Sequence, residues 1–120
     1  MRKVVYCRPG RPAGISTFSY HRAVGGNILY DSLCGPPERR MDYRIAIRRI
    51  ADGGGGSIEM HDTFDVGDIV MFEGPRNAFH LGTAERDLLF VIGGIGVTPM
   101  LPMIQVAAQR GSNWRAIYAG

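Results

Sequence analysis

A glycine-rich turn near the end of the chain has residue types suited to holding a phosphate group. Gly93-Gly94-Ile95-Gly96 follows an apolar run and precedes Val97-Thr98-Pro99. Thr98 is a favoured N-cap residue and Pro99 suits a first helical position, so a helix is predicted from Met100 to Gln109. Amides at a helix start, together with the helix dipole, stabilise bound phosphate. A tight turn without a ligand is the alternative, because Pro99 stands where a Gly-x-Gly-x-x-Gly motif has its last glycine.

A second glycine cluster, Asp52-Gly53-Gly54-Gly55-Gly56-Ser57, also offers consecutive amides that could surround a phosphate. Taken alone, a four-glycine run is more often a flexible hairpin loop. Arg48-Arg49 comes just before it, and guanidinium groups pair well with phosphate oxygens. Successive strand residues point to opposite faces, so at most one of the two arginines is expected to face a ligand, and a solvated strand edge is an equally supported alternative. His61 and His80 have no metal-binding spacing and are expected at the surface or as caps.

Short strands separated by turn signals must position these residues. The predicted strands are Lys3–Cys7, Ile28–Leu33, Tyr43–Arg48 and Ile69–Glu73, with weaker alternation at Phe18 and Tyr20. Tyr43–Arg48 alternates with a period of two, as a half-buried strand should. Gly74-Pro75-Arg76-Asn77 is predicted to end its strand, and residues 58–63 fit either a turn of helix or a short connection. This pattern favours a small antiparallel barrel.

The last third of the chain has the pattern of one β-α-β unit. Leu88–Ile92 is a continuous apolar run, as expected of a parallel strand buried on both faces. The helix that follows is predicted to bury one side, formed by Leu101, Ile104, Ala107 and Ala108. Arg110-Gly111 should end that helix before a second strand at Trp114–Ala119. The change in composition between about Leu81 and Asp87 predicts a domain boundary there.

The composition is typical of an ordinary soluble globular chain. The 120 residues are 45% hydrophobic and 21% charged, and the net charge of +3 is too small and dispersed to indicate nucleic-acid binding. No apolar run approaches the roughly 18 residues of a membrane helix, and no signal-peptide core is present, so a cytoplasmic protein is expected. Cys7 and Cys34 are the two cysteines, and free thiols are favoured over a disulfide. An iron–sulfur cluster needs about four thiolates, so none is expected in this chain.

Five short motifs follow one another in a distinctive order. They are Ser32-Leu33-Cys34-Gly35, Tyr43-Arg44-Ile45-Ala46-Ile47-Arg48-Arg49, Gly54-Gly55-Gly56-Ser57, Gly74-Pro75-Arg76-Asn77-Ala78-Phe79 and Gly93-Gly94-Ile95-Gly96-Val97-Thr98-Pro99-Met100. In this order and spacing the chain resembles the phthalate dioxygenase reductase family, which includes the vanillate demethylase reductases and lies in the ferredoxin–NADP reductase superfamily. The resemblance extends from about Ser32 to Gly120.

The resemblance implies a β part followed by an α/β part. An antiparallel Greek-key barrel would bind flavin, usually FMN but alternatively FAD, and a Rossmann-like domain would bind NADH or NADPH. Hydride would pass from nicotinamide to flavin N5, and single electrons would leave through a ferredoxin-type 2Fe–2S domain to a Rieske-type oxygenase. Residues 1–31 are then a divergent segment, 32–84 a partial flavin barrel, and 85–120 the start of the nicotinamide domain. The chain is expected to be a fragment of such an electron-transfer reductase.

The resemblance also assigns roles to individual residues. Ser32 matches the serine that contacts flavin near N5. The segment along the flavin ribityl chain and phosphate is matched by Ile47, Arg48 and Arg49. The phosphate-binding turn is matched by Gly55, Gly56 and Ser57, which makes phosphate binding the favoured interpretation of that loop. The turn that receives the nicotinamide dinucleotide is matched by Gly94, Gly96, Val97, Thr98 and Pro99.

The chain departs from the family pattern just before Ser32. The family has Arg-x-Tyr-Ser there, whereas this chain has Leu29, Tyr30 and Asp31 before the serine. Leu29 replaces a phosphate-binding arginine and Asp31 replaces a flavin-stacking aromatic residue, while Tyr30 should face the opposite way unless a bulge intervenes. The abrupt change suggests that an unrelated or frame-shifted stretch is joined before Ser32. Two alternatives to an active reductase therefore stay open: a non-catalytic remnant, and a flavin-binding module without hydride transfer.

Overall fold

The computed structural model describes residues 2–7, 17–21, 28–36, 42–68, 70–77, 79–82 and 86–120. In chain order the elements are β1 (Arg2–Cys7), β2 (Thr17–His21), β3 (Ile28–Ser32), β4 (Tyr43–Arg48), α1 (Gly56–Asp62), β5 (Met71–Arg76), β6 (Leu88–Gly93), a 3₁₀ turn (Gly94–Gly96), α2 (Val97–Gln109) and β7 (Trp114–Ala119). The predicted boundary between residues 84 and 85 lies outside these ranges. Neither of the two helices found in the described ranges is long and apolar enough to cross a membrane.

The first five strands pair in antiparallel fashion in two groups. β1 pairs with β4, with Arg2 opposite Arg48 and Cys7 opposite Tyr43. β2 lies between β3 and β5 in a second sheet. An antiparallel bridge between Leu33 and Ile45 connects the end of β3 to β4. The strands predicted at Lys3–Cys7, Ile28–Leu33 and Tyr43–Arg48 are confirmed to within a residue, and the alternation around Phe18 is confirmed as β2.

The predicted end of strand β5 is wrong. Gly74-Pro75 was expected to end the strand, but the strand continues to Arg76. Among the described strands β5 pairs with β2 alone, and the register between them is interrupted between Glu73 and Arg76. Proline cannot donate a ladder hydrogen bond, and it is therefore tolerated where a strand is at a sheet edge or its pairing is irregular.

The core of the β part lies between β4 and α1. Tyr43, Ile45 and Ile47 are buried on alternate positions of β4, and Met60 of α1 packs against them with no exposed surface. Leu33, Phe64 and Val70 complete the cluster as partly buried neighbours. The segment that the sequence left undecided between helix and connection is thus part of α1, which begins inside the glycine run. Burial of Met60 holds this short helix on the strand.

The C-terminal part is one β-α-β unit, as predicted. β6 and β7 are parallel and in register from Leu88 with Trp114 to Gly93 with Ala119. The cluster between β6 and α2 buries Phe90, Ile92, Met103 and Ala107. The expectation that β6 is buried on both faces is wrong, because Leu89 and Val91 are 60% and 68% exposed. Helix α2 covers one face of this strand, while Leu89, Val91 and the neighbouring Ile117 leave the other face apolar and exposed.

Helix α2 differs from its prediction at its start and on its buried side. It begins at Val97 because the glycine turn itself winds as a 3₁₀ helix and continues into it. Thr98 is therefore inside the helix and not its N-cap, and its Oγ1 donates a hydrogen bond to the Ile95 carbonyl at 3.0 Å. The buried side includes Pro102, Met103 and Ala107, whereas Leu101, predicted on that side, is 42% exposed. Ala108, predicted there too, is also exposed.

Candidate functional site

The turn between β4 and α1 is built from the second glycine cluster. Gly55 has φ of 90°, a left-handed conformation that glycine adopts without strain, and it is the N-cap of α1. Gly56 and Ser57 are buried at the helix start. The Ser57 hydroxyl accepts a hydrogen bond from the Ile50 amide at 3.1 Å, which closes the turn. The first amides of any helix lack intrahelical partners, so this turn presents hydrogen-bond donors to an anion.

The two arginines beside this turn lie in different environments. Arg49 donates two hydrogen bonds to Asp62, Nε to Oδ1 at 3.2 Å and Nη2 to Oδ2 at 2.8 Å. This contact raises the Arg49 pKa and keeps its guanidinium against α1. Arg48 is exposed at the end of β4, and the register places a second basic residue, Arg2, opposite it. Of the predicted pair, Arg49 is thus engaged by a carboxylate of α1, whereas the Arg48 side chain is exposed to solvent.

The strand before Ser32 shows where the departures from the family pattern fall. β3 pairs with β2 in unbroken register, so no bulge brings Tyr30 to the other face. Tyr30 is 69% exposed, whereas Asp31 and Ser32 are half-buried. The Asp31 Oδ2 is buried and has no hydrogen-bond partner in the structure. Burial raises the Asp31 pKa from an ordinary 3.8 to about 6. A carboxyl group therefore occupies the position where the resemblance implies a stacking aromatic ring.

The turn before α2 holds the other predicted site residues. Gly94 has φ of 48°, and its carbonyl accepts a 3.4 Å hydrogen bond from the Tyr118 hydroxyl at the end of β7. Gly96 precedes the helix, and apart from its chain neighbours and the adjoining helix backbone no atom lies within 4 Å of where its Cβ would be. Val97 and Pro99 are partly buried and Thr98 is buried. The open space at Gly96 leaves room for a ligand to approach the helix start.

We expect Gly94→Ala to destabilise the protein by about 1 kcal/mol, because an alanine at this left-handed position brings its Cβ close to the backbone. Gly96→Ala is the matched control, since Gly96 has ordinary helical angles and open space around it. The control should be neutral or stabilising by up to about 1 kcal/mol. Urea unfolding of both variants measures the difference. Equal effects of the two substitutions would contradict the left-handed geometry of Gly94.

Strand β4 is the element around which these groups gather. Helix α1 contacts both β3 and β4, and the 3₁₀ turn Gly94–Gly96 also contacts β4. The strand that ends in Ser32, the Gly55–Ser57 turn and the Gly94–Gly96 turn therefore all lie close to one strand. The sequence did not predict the contact of His61 with β4, in which its Nε2 lies 2.9 Å from the Ile47 carbonyl oxygen. The two residues are 14 positions apart, and no local pattern signals such a contact.

Comparison with known proteins supports the predicted resemblance. The chain is 42% identical over 84 residues to a phthalate 4,5-dioxygenase oxygenase reductase subunit of Pseudomonas putida, a match covering 70% of this chain and 26% of the relative. The structure of a phthalate dioxygenase reductase superposes with a TM-score of 0.86 and 30% identity, covering 98% of this chain and 38% of that protein. The resemblance to the phthalate dioxygenase reductases is confirmed. The fold of this chain is the ferredoxin–NADP reductase-like fold of flavin- and nicotinamide-binding domains. No family model matches the chain.

Similarity also extends into residues 1–31. A heme-dependent oxidative N-demethylase beta subunit of Ectopseudomonas mendocina (strain ymp) is 38% identical over 112 residues, which covers 92% of this chain and 35% of that subunit. A match of this extent leaves out about a tenth of the chain, so it includes part of the first 31 residues. Whether residues 1–31 are an unrelated joined stretch stays a prediction. The chain spans about a quarter to a third of the length of these curated relatives.

Proposed function

We propose that this chain is the flavin-binding and nicotinamide-receiving part of an electron-transfer reductase that serves an oxygenase. The observation that carries the proposal is the turn at Gly55–Ser57, where a left-handed Gly55 precedes helix α1 and the Ser57 hydroxyl accepts a hydrogen bond from the Ile50 amide. Its relatives are named as reductase subunits of dioxygenase systems. In this proposal residues 32–84 belong to a Greek-key flavin barrel and 85–120 begin the nicotinamide domain. A Rieske-type oxygenase component, or a separate ferredoxin domain, would receive the electrons.

The phosphate end of a flavin fits the residues present. Gly55 and Gly56 offer amides, the Ser57 hydroxyl can donate while it accepts from Ile50, and Arg48 supplies positive charge. FMN, which ends in a single phosphate, is the proposed flavin, and FAD is the alternative. Ile47 directs its side chain into the core, so its part is to fix the strand and not to touch the ligand.

The residues expected near the flavin ring fit a flavin less well than those expected near its phosphate. Ser32, half-buried at the end of β3, would bond near flavin N5, but Asp31 stands where an aromatic ring would stack and Leu29 replaces the family arginine. An ionised Asp31 beside an electron-rich ring is unfavourable, so we expect binding to depend mainly on the phosphate end. When bound, the flavin would accept a hydride from NADH or NADPH and release single electrons. Gly94, Gly96, Val97, Thr98 and Pro99 would hold the dinucleotide phosphate at the start of α2.

Flavin titration of the purified chain tests the proposal. FMN should bind, and the bound flavin should lose its visible absorption when NADH is added without oxygen. Binding without bleaching would favour a flavin-binding module, and no binding of FMN or FAD would favour a non-catalytic remnant.

Arg48→Gln should weaken FMN binding by about ten- to a hundredfold, since a hydrogen bond to a charged group contributes about 1.5–3 kcal/mol. Riboflavin, which lacks the phosphate, should bind the variant as it binds the unaltered chain. Arg115→Gln is the matched control, because Arg115 is exposed on β7. Fluorescence titration with both flavins measures these affinities. An equal loss in the Arg48 and Arg115 variants would show that general charge, and not Arg48, attracts the phosphate.

A further inference from the structure

The end of β3 joins the two antiparallel sheets of the β part. Among the described residues, the strand pairing between the sheets is the bridge of Leu33 with Ile45, followed by a 2.8 Å hydrogen bond from the Cys34 amide to the Arg44 carbonyl. The β1–β4 ladder, by comparison, pairs all six residues of each strand. The short junction should open at a lower free-energy cost than the ladder, because fewer hydrogen bonds are broken.

Asp31 lies two residues before this bridge, on the core side of the strand. Strand residues alternate, so Asp31 shares a face with Leu33, which packs against the apolar cluster between β4 and α1. Tyr30, on the opposite face, is exposed. The Asp31 Oδ2 atom is buried, and no hydrogen-bond partner is found for it in the described part of the chain. The junction therefore holds a carboxyl group whose charge nothing in these residues stabilises by a hydrogen bond.

The ionisable groups around Asp31 lie on the elements that pack at the junction. Burial raises the Cys34 pKa, the Arg44 charge lowers it and the Asp31 charge raises it, so the thiol and the carboxyl are close enough to interact. On β2, Phe18 is opposite Asp31 in the register. Helix α1 also contacts β3, and its ionisable residues are Glu59, His61 and Asp62. Burial, and not a charged neighbour, is what raises the pKa of Asp31.

We propose that Asp31 makes the β3–β4 junction a pH-sensitive hinge, in which ionisation of its carboxyl favours an open form with the Leu33–Ile45 bridge broken. In the closed form the carboxylate stays buried without a hydrogen-bond partner, which is costly. In the open form water solvates the charge. Ser32 lies between Asp31 and the bridge, so the hinge also sets how firmly the strand end that carries Ser32 is held. The hinge is a property of the chain alone and does not depend on a bound flavin.

The direction of the pH dependence follows from the two forms of the junction. Burial raises the Asp31 pKa from 3.8 to about 6 in the closed form, whereas in the open form the solvated carboxyl has its ordinary pKa. The ratio of open to closed molecules should therefore rise between about pH 4 and pH 6 and level off above that range. The pKa shift sets an upper limit of about a hundredfold, and partial solvation in the closed form reduces the expected rise to about thirtyfold.

Hydrogen exchange of the Cys34 amide measures the opening, because this amide donates the hydrogen bond beside the bridge. Its protection is the exchange rate of an unfolded peptide divided by the observed rate at the same pH. This protection should fall about thirtyfold between pH 4 and pH 7. In Asp31→Asn it should be the same at both pH values. Asp52→Asn, at an exposed turn position, is the matched control and should keep the pH dependence of the unaltered chain.

Dilute urea separates opening of the hinge from unfolding of the whole protein. A local opening exposes little surface, so exchange of the Cys34 amide should not accelerate in dilute urea, whereas amides of the β1–β4 ladder should exchange faster. Equal protection and equal urea dependence of Cys34 and the ladder would overturn the hinge. A pH dependence that persists in Asp31→Asn would overturn the role of Asp31. If Asp31→Asn does not fold, Asp31→Ser gives the same comparison. Both measurements use the chain without a flavin, so a failure of the proposed function leaves their outcome unchanged.

Discussion

Met60→Ala is expected to destabilise the protein by about 2–5 kcal/mol, the range for truncating a fully buried large side chain. Met60 has no exposed surface and packs against Tyr43, Ile45 and Ile47 of β4. The substitution removes the principal apolar contact of α1 and leaves a cavity beneath it. Because α1 is short, most of its stability comes from this packing, and the Gly55–Ser57 turn should loosen with it. Urea unfolding followed by circular dichroism measures the loss.

Two variants make the Met60 experiment specific. Met60→Leu keeps the volume and should cost less than about 1.5 kcal/mol. Ile50→Ala removes an apolar side chain that is 54% exposed in the same region, and its effect should stay within about 0.5 kcal/mol. A Met60→Ala cost as small as that of Ile50→Ala would mean that α1 is not docked on β4 in solution.

The fold was predictable where local pattern and tertiary environment agree. β4 alternates in sequence and buries alternate residues, so its period of two predicted both its type and its buried face. β6 shows the limit of the same reasoning. Its continuous apolar run predicted burial on both faces, but α2 covers one face and leaves Leu89 and Val91 exposed. An apolar composition shows that a strand can be buried on both faces. Whether both faces are covered depends on the helices and sheets that pack against the strand.

The glycine run shows why helix α1 was not predicted with certainty. Glycine is a poor helix former, so Gly53–Gly56 indicates a loop on propensity alone. The helix nevertheless begins at Gly56, because the burial of Met60 four residues later outweighs that propensity. The prediction that Thr98 is the N-cap was wrong for a different reason. Threonine suits an N-cap position, but the 3₁₀ turn before it already leads into the helix, so Thr98 lies inside α2.

The candidate site was predictable as a set of residues but not as a set of contacts. The resemblance named Arg48 and Arg49, which lie at the end of β4, and Ser57, which lies at the start of α1. Their sequence spacing could not show that Asp62 engages Arg49, because that pair joins residues 13 positions apart. Alternation along the strand did predict that the two arginines would differ, and the described contacts decide which one is available.

Asp31→Asn is expected to stabilise the protein at pH 7 and to lose this advantage in acid. Burial raises the Asp31 pKa from 3.8 to about 6, so between these values the folded state binds more protons than the unfolded state. The free energy of unfolding therefore falls as pH rises from about 4 to about 6. A pKa shift of this size corresponds to a change of about 3 kcal/mol in the free energy of unfolding. Partial solvation of the side chain reduces the expected change to about 2 kcal/mol. Asparagine has a similar size and no charge to bury.

Chemical denaturation of both proteins at pH 4 and pH 7 decides the Asp31 prediction. The variant should be more stable by about 2 kcal/mol at pH 7, and the two proteins should be nearly equal at pH 4. Asp52→Asn, at an exposed position in the turn after β4, should change stability little at either pH. A constant difference between the two pH values would mean that the Asp31 carboxyl is hydrated in the folded state. In that case an ionised carboxylate would face the flavin ring across the working pH range, and the ring end of the site would be weaker still.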